Sequence, residues 1–117
     1  MSSLSLRRLA VLGLAVLTSS AAGPSAAAVQ EPPKARTHAV IIDASAFQQP
    51  LVTVNAGDTI VWTNRDLFPH TVTALKGSFD SKDIPAGKSW KYTPKVTGTF
   101  DYRCDYHTTM TGVIKVR

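Results

Sequence analysis

From His38 onward, turn-forming residues interrupt the chain roughly every eight to twelve positions, and no stretch keeps a helical apolar period. Only short extended segments fit that spacing, so the chain is confined to an all-β architecture. His38 to Ala44 carries Val40, Ile41 and Ile42, and Leu51-Val-Thr-Val54 alternates. Thr59 to Thr63 is a β-branched and aromatic run suited to a half-buried strand. After the loop Asn64 to Pro69, His70 to Ala74 resumes extended chain, and Gly77 to Phe79 reads as a short edge strand. Ser89 to Thr93, Thr99 to Cys104 and Gly112 to Val116 follow. The two-residue period places Phe100, Tyr102 and Cys104 on one face. Between these runs, Asn55-Ala56-Gly57-Asp58 is a turn in which glycine supplies positive φ. About eight short strands punctuated in this way predict a β-sandwich.

The first 28 residues do not belong to that sandwich. Arg7-Arg8 precedes an apolar run from Leu9 to Leu17, and small residues lead to Ala26-Ala27-Ala28. Charge, apolar stretch and small-residue exit in this order read as a cleaved secretory signal. The run is too short to span a bilayer as a helix. The arginine pair leaves both general secretory and twin-arginine export open. Residues 29–37, with Pro32-Pro33, form a flexible lead-in, and 38–117 are the folded domain. Removal of Arg7 and Arg8 with the leader leaves eleven basic against eight acidic residues, a net of about +3. No Lys/Arg cluster of nucleic-acid type is present. The mild positive charge favours salt-sensitive association with an acidic protein partner.

An exported chain with one cysteine is exposed to oxidation unless something occupies the thiol. Here Cys104 heads Cys104-Asp105-Tyr106-His107-Thr108-Thr109-Met110, so thiolate, imidazole and thioether follow at three-residue intervals. A second imidazole, His70, stands in Phe68-Pro69-His70-Thr71. Each residue alone is ordinary: a lone cysteine on an inward face is usually a small core hydrophobe, and a lone methionine is usually core filling. Together, the single Cys, two of three His and the one Met beyond Met1 fall into two loops that a sandwich places at one end. Two His, one Cys and a weak Met form the ligand set of a blue-copper electron-transfer centre. His38 stands apart, as a solvated or structural residue.

With these residues in view, the chain resembles the cupredoxins (type 1 blue copper proteins), and within them the amicyanin and pseudoazurin branches. The resemblance covers about Ala39 to Val116. It rests on Val54-Asn-Ala-Gly-Asp-Thr-Ile-Val-Trp62, Asn64-Arg65, Phe68-Pro-His70, Gly98-Thr-Phe-Asp-Tyr-Arg-Cys104 and the short Cys-x-x-His-x-x-Met loop before Gly112-Val-Ile-Lys-Val116. It implies a Greek-key sandwich holding one copper per chain. His70, Cys104 and His107 would form a trigonal plane, with Met110 as the long axial ligand. It further implies electron exit through His107, rimmed by Phe68, Pro69, Tyr106 and Thr108. The implied role is a monomeric periplasmic carrier of single electrons between redox partner proteins, with no enzymatic activity and no membrane insertion.

Three positions depart from the family pattern, one of them Tyr106, which stands where the ligand loop commonly has a Pro. Where an Asn usually follows the first His and a Thr or Ser follows the Cys, this chain has Thr71 and Asp105. The expected substitute is a Thr71 hydroxyl donating to the Asp105 carboxylate, which would tie the two ligand loops together. A copper-trafficking or tolerance module is the competing function. That class tends toward several surface Met and His, and here only Met110 remains after the leader. An oxidase or reductase would need a second cluster of His, and only His38 is left for one.

Overall fold

The computed structural model describes residues 10–23 and 34–117. The chain divides into two units, Met1–Glu31 and Pro32–Arg117. In the first, the described residues 10–23 carry no helix or strand and are exposed. Residues 1–9 and 24–28 of the expected leader, and 29–33 of the lead-in, lie outside the described residues. No helix among the described residues is long and apolar enough to cross a membrane.

Among the described residues, all strands lie in the second unit: β1 (Thr37–Asp43), β2 (Ala46–Phe47), β3 (Leu51–Val54), β4 (Thr59–Asn64), β5 (Thr73–Ala74), β6 (Ser89–Tyr92), β7 (Gly98–Arg103) and β8 (Thr111–Val116). They form two four-stranded sheets, ordered β2-β1-β4-β6 and β3-β8-β7-β5. The β1–β4 and β3–β8 pairs are parallel and the others antiparallel, so the chain crosses repeatedly between sheets. The all-β sandwich expectation holds, with two corrections. Gly77 to Phe79 is not a strand, because Gly77 turns at φ 77° and closes onto the Ala74 carbonyl. The eighth strand is instead β2, a two-residue return of β1 that carries the buried Phe47.

Alternation puts one face of each strand inside. Val40, Ile42, Ile60 and Trp62 come from one sheet, and Val52, Val54, Tyr102, Ile114 and Val116 from the other. Trp62 and Tyr102 lock the sheets together, their rings edge-to-face at 5.7 Å and the indole N–H donating to the Tyr102 hydroxyl at 3.2 Å. Burial pushes the Tyr102 phenol up to about 12, against the small opposing effect of the Trp62 bond. Tyr102 lies opposite Gly112 in the β7–β8 register, and a Cβ there would come within 2.3 Å of the Tyr102 ring. Glycine is required because the ring occupies the space of a side chain.

Candidate metal centre

β7 ends at Arg103, and Cys104 continues its inward face one residue beyond the strand. The segment that follows is a closed loop. The Cys104 N–H donates to the Met110 carbonyl at 3.0 Å, and the Met110 N–H to the His107 carbonyl at 2.9 Å. These bonds return the chain at once into β8, so three chemically distinct side chains leave one tight turn. His70 arrives from the other side. It follows β4 and the loop 65–69, and its backbone forms an isolated bridge with Ile84 (N···O 3.2 and 2.8 Å).

The ligand-capable atoms of His70, Cys104 and His107 all lie within 4.8 Å of one another. His70 Nδ1 stands 3.6 Å from Cys104 Sγ, and the His70 and His107 rings are 5.4 Å apart. Cys104, His70 and Met110 are buried, while His107 reaches solvent. The Thr71 N–H donates to Cys104 Sγ at 3.4 Å, an interaction suited to a sulfur that carries negative charge. Two imidazoles, one of them open to solvent, with a thiolate-capable sulfur and a thioether are donors that suit copper in both oxidation states.

Phe68 sits 5.0 Å from the His70 ring and 5.9 Å from the His107 ring, covering both, and is itself 44% exposed. Pro69, Tyr106 and Leu67 are exposed as well, Leu67 at 94%. Leu67 was not singled out by sequence because an isolated loop leucine carries no period. The Tyr106 hydroxyl donates to Asp83, which holds its phenol above the ordinary value.

The tie between ligand loops exists, but through different atoms from those expected. Thr71 Oγ1 accepts the Asp105 N–H at 2.9 Å instead of donating to its carboxylate. The carboxylate is reached indirectly: Thr71 Oγ1 contacts Thr73 Oγ1 at 2.9 Å, and Thr73 donates to Asp105 Oδ2 at 3.2 Å. A backbone amide pointing into the loop is the nearer donor, so the hydroxyl satisfies it first.

Asn64 and Asp66 form a scaffold that the motif reading missed. Fully buried Asn64 donates from Nδ2 to the Phe68 carbonyl (2.8 Å) and the Ile84 carbonyl (3.0 Å), and its Oδ1 accepts the Asp66 N–H at 2.9 Å. Asp66 Oδ2 lies 2.7 Å from His70 Nε2. An ionised carboxylate only accepts, so His70 donates to it from Nε2, and Nδ1 is the ring nitrogen that faces Cys104. Burial pushes the Asp66 carboxyl upward, but the Ser45 N–H, His70 and the Ala44 N–H outweigh it and hold it below its usual value.

The profile of the cupredoxin-like domain family matches residues 8–116. Amicyanin-alpha of Methylorubrum extorquens is 33% identical over 104 residues, covering 85% of this chain and 87% of that protein. Amicyanin of Paracoccus denitrificans is 32% identical over 89 residues, covering 67% of this chain and 65% of that protein. Among solved structures, a Cu(I) amicyanin mutant superposes with a TM-score of 0.62 at 28% identity, covering 69% of this chain and 82% of that one.

Proposed function

The chain belongs to the cupredoxin-like domain family of copper electron carriers, and on that premise we propose that it shuttles single electrons between redox partner proteins in the periplasm, without enzymatic activity of its own. One observation carries this reading: His70, Cys104 and His107 converge at one end of the sandwich with only His107 open to solvent. In this reading His70, Cys104 and His107 would hold the metal and Met110 would add a weak thioether donor. Copper supplies the one-electron couple when bound.

The remaining work falls to the protein. The Cys104–Met110 backbone bonds and the Thr71–Asp105 bond fix the donors in advance, so little nuclear rearrangement accompanies a change of charge. Phe68 packs against the ring of buried His70 and lies beside that of His107. The exposed rim of Leu67, Phe68, Pro69 and Tyr106 around His107 gives a small surface that desolvates easily, as brief encounters between carrier and partner require. The apolar leader expected over residues 1–28 supports export, and the carrier is taken to act as a monomer.

The test is the absorption spectrum of the oxidised, copper-loaded protein. Intense blue colour is expected from thiolate-to-copper charge transfer, with one copper per chain and loss of the colour in Cys104→Ala. A colourless adduct of the unaltered protein would exclude a type 1 centre.

A further inference from the structure

β1 and β2 are joined by a two-residue turn, Ala44-Ser45, between the paired residues Asp43 and Ala46. Both turn residues hold left-handed backbone, φ 50° and 54°. Two-residue hairpins of this hand favour Asn-Gly or Gly-Gly, because a Cβ is strained there. Ala-Ser is a poor choice, so contacts from outside the turn must hold it.

Asp66 supplies them. Its Oδ1 accepts the Ala44 N–H at 2.8 Å, and its Oδ2 accepts the Ser45 N–H at 2.9 Å. Asp43 Oδ1 adds a bond to the Ala44 N–H at 2.9 Å. The oxygen that takes the Ser45 N–H is also the one 2.7 Å from His70 Nε2. One carboxylate, its side chain only 10% exposed, therefore closes a strained surface turn and fixes the ring of a buried histidine. Strained backbone persists where its surroundings over-determine it, and such outliers concentrate at functional sites.

We propose that Asp66 is the positioning residue for His70, and that through it the Ala44–Ser45 turn is coupled to the metal centre. This rests on the reading of His70 as a metal ligand. Ligation at Nδ1 draws electron density from the ring and makes Nε2–H a stronger donor. Oδ2 is then pulled toward His70, and its bond to the Ser45 N–H must adjust. The effect grows with the charge on the metal, so Asp66 favours the oxidised state and the turn registers the state of the centre. Groups that perturb the turn from outside perturb His70 by the same link.

Nitrogen-15 NMR of the full domain tests this without any electron-transfer assay. In metal-free protein, a His70 Nε2–H resonance slow to exchange and protected Ala44 and Ser45 amides are expected. Addition of Cu(I) should shift those two amides together with the His70 ring. In Asp66→Asn, with β7 and β8 amides unchanged, the turn amides should lose at least tenfold in protection and their response to Cu(I) should fall. Metal affinity should drop roughly 10–100-fold, and the reduction potential should rise. Turn amides that stay fixed while His107 and Cys104 report full loading would overturn the proposal, as would unchanged affinity in Asp66→Asn. If that variant does not fold, the response of the unaltered protein decides alone. Failure to bind Cu(I) at all would remove the copper reading instead. Ring and amide exchange in the metal-free protein would still judge the positioning role.

Discussion

At the scale of single residues, Thr71 is the point where two loops meet. It gives its N–H to Cys104 Sγ and takes the Asp105 N–H on its hydroxyl. The hydroxyl oxygen, rather than the Asp105 carboxylate, therefore carries the tie. Thr71→Val keeps the shape and the N–H···S bond but leaves the Asp105 amide without its acceptor, while the Thr73 hydroxyl keeps the Asp105 carboxylate. A loss of about 1 kcal/mol is expected in urea unfolding of the metal-free protein. Asp105→Ala, which retains the amide, should cost less. The reverse ranking would show that the carboxylate holds the loops. Met110 lies at the same scale: Met110→Leu should keep copper and shift the reduction potential, since a long thioether contact tunes more than it binds.

At the scale of elements, the β7–β8 pair delivers the site, and its register depends on one absent side chain. Tyr102 fills the space above Gly112, and the Tyr102 hydroxyl anchors Trp62 in the opposite sheet. Gly112→Ala forces the ring or the strand to move, with an expected cost of about 1–3 kcal/mol in thermal unfolding. Because β7 leads directly to Cys104 and β8 follows Met110, the same substitution should perturb the copper spectrum. A stable variant with an unchanged spectrum would mean that the pair tolerates repacking. The loop between β4 and β5 carries the exposed residues proposed above to meet a redox partner. Leu67 is almost wholly exposed and forms no bond to the scaffold, so Leu67→Lys should leave the spectrum alone. Electron self-exchange between two copies, read from NMR line widths, should fall several-fold, because a charge would have to be desolvated at each encounter. An unchanged rate would place the exit elsewhere.

At the scale of the whole molecule, the end opposite the ligand loops is clamped by Asp58. Its carboxylate accepts the Arg36 N–H (3.0 Å) and the Asn55 N–H (3.0 Å) and meets His38 Nε2 at 2.9 Å. The Arg36 N–H, then His38 and the Asn55 N–H, hold its pKa down to about 2. A depressed carboxyl stabilises the fold fully above its unfolded value near 3.8, and that contribution is lost as pH falls through about 2. Metal-free protein should therefore lose stability over this window. In Asp58→Asn, stability at neutral pH should be lower and the dependence between pH 4 and 2 flatter. An unaltered acid profile would assign the transition to other carboxylates. Copper acts at the same scale by mass action: free metal at about a thousand times its Kd adds roughly 4 kcal/mol to the folded state, read as a rise in Tm.

The sequence alone determined the features that depend on local period and residue chemistry. Leu51–Val54 and the inward face of Phe100, Tyr102 and Cys104 follow from alternation, because a strand's two faces repeat every second residue. The donor set follows from scarcity, because the one cysteine lies three residues from a histidine and six from a methionine. Tertiary structure decided what depends on partners distant in the chain. Gly77 to Phe79 has residues fit for an edge strand yet turns back onto Ala74, while β2 forms because β1 offers Phe47 a place in the core. Thr71 accepts a bond from a residue 34 positions away, and Asp66 grips a turn 22 positions upstream while fixing His70. A carboxylate or hydroxyl has the same character in any sequence. Which donor it meets is set only when the two sheets pack and bring separate loops within about 3 Å.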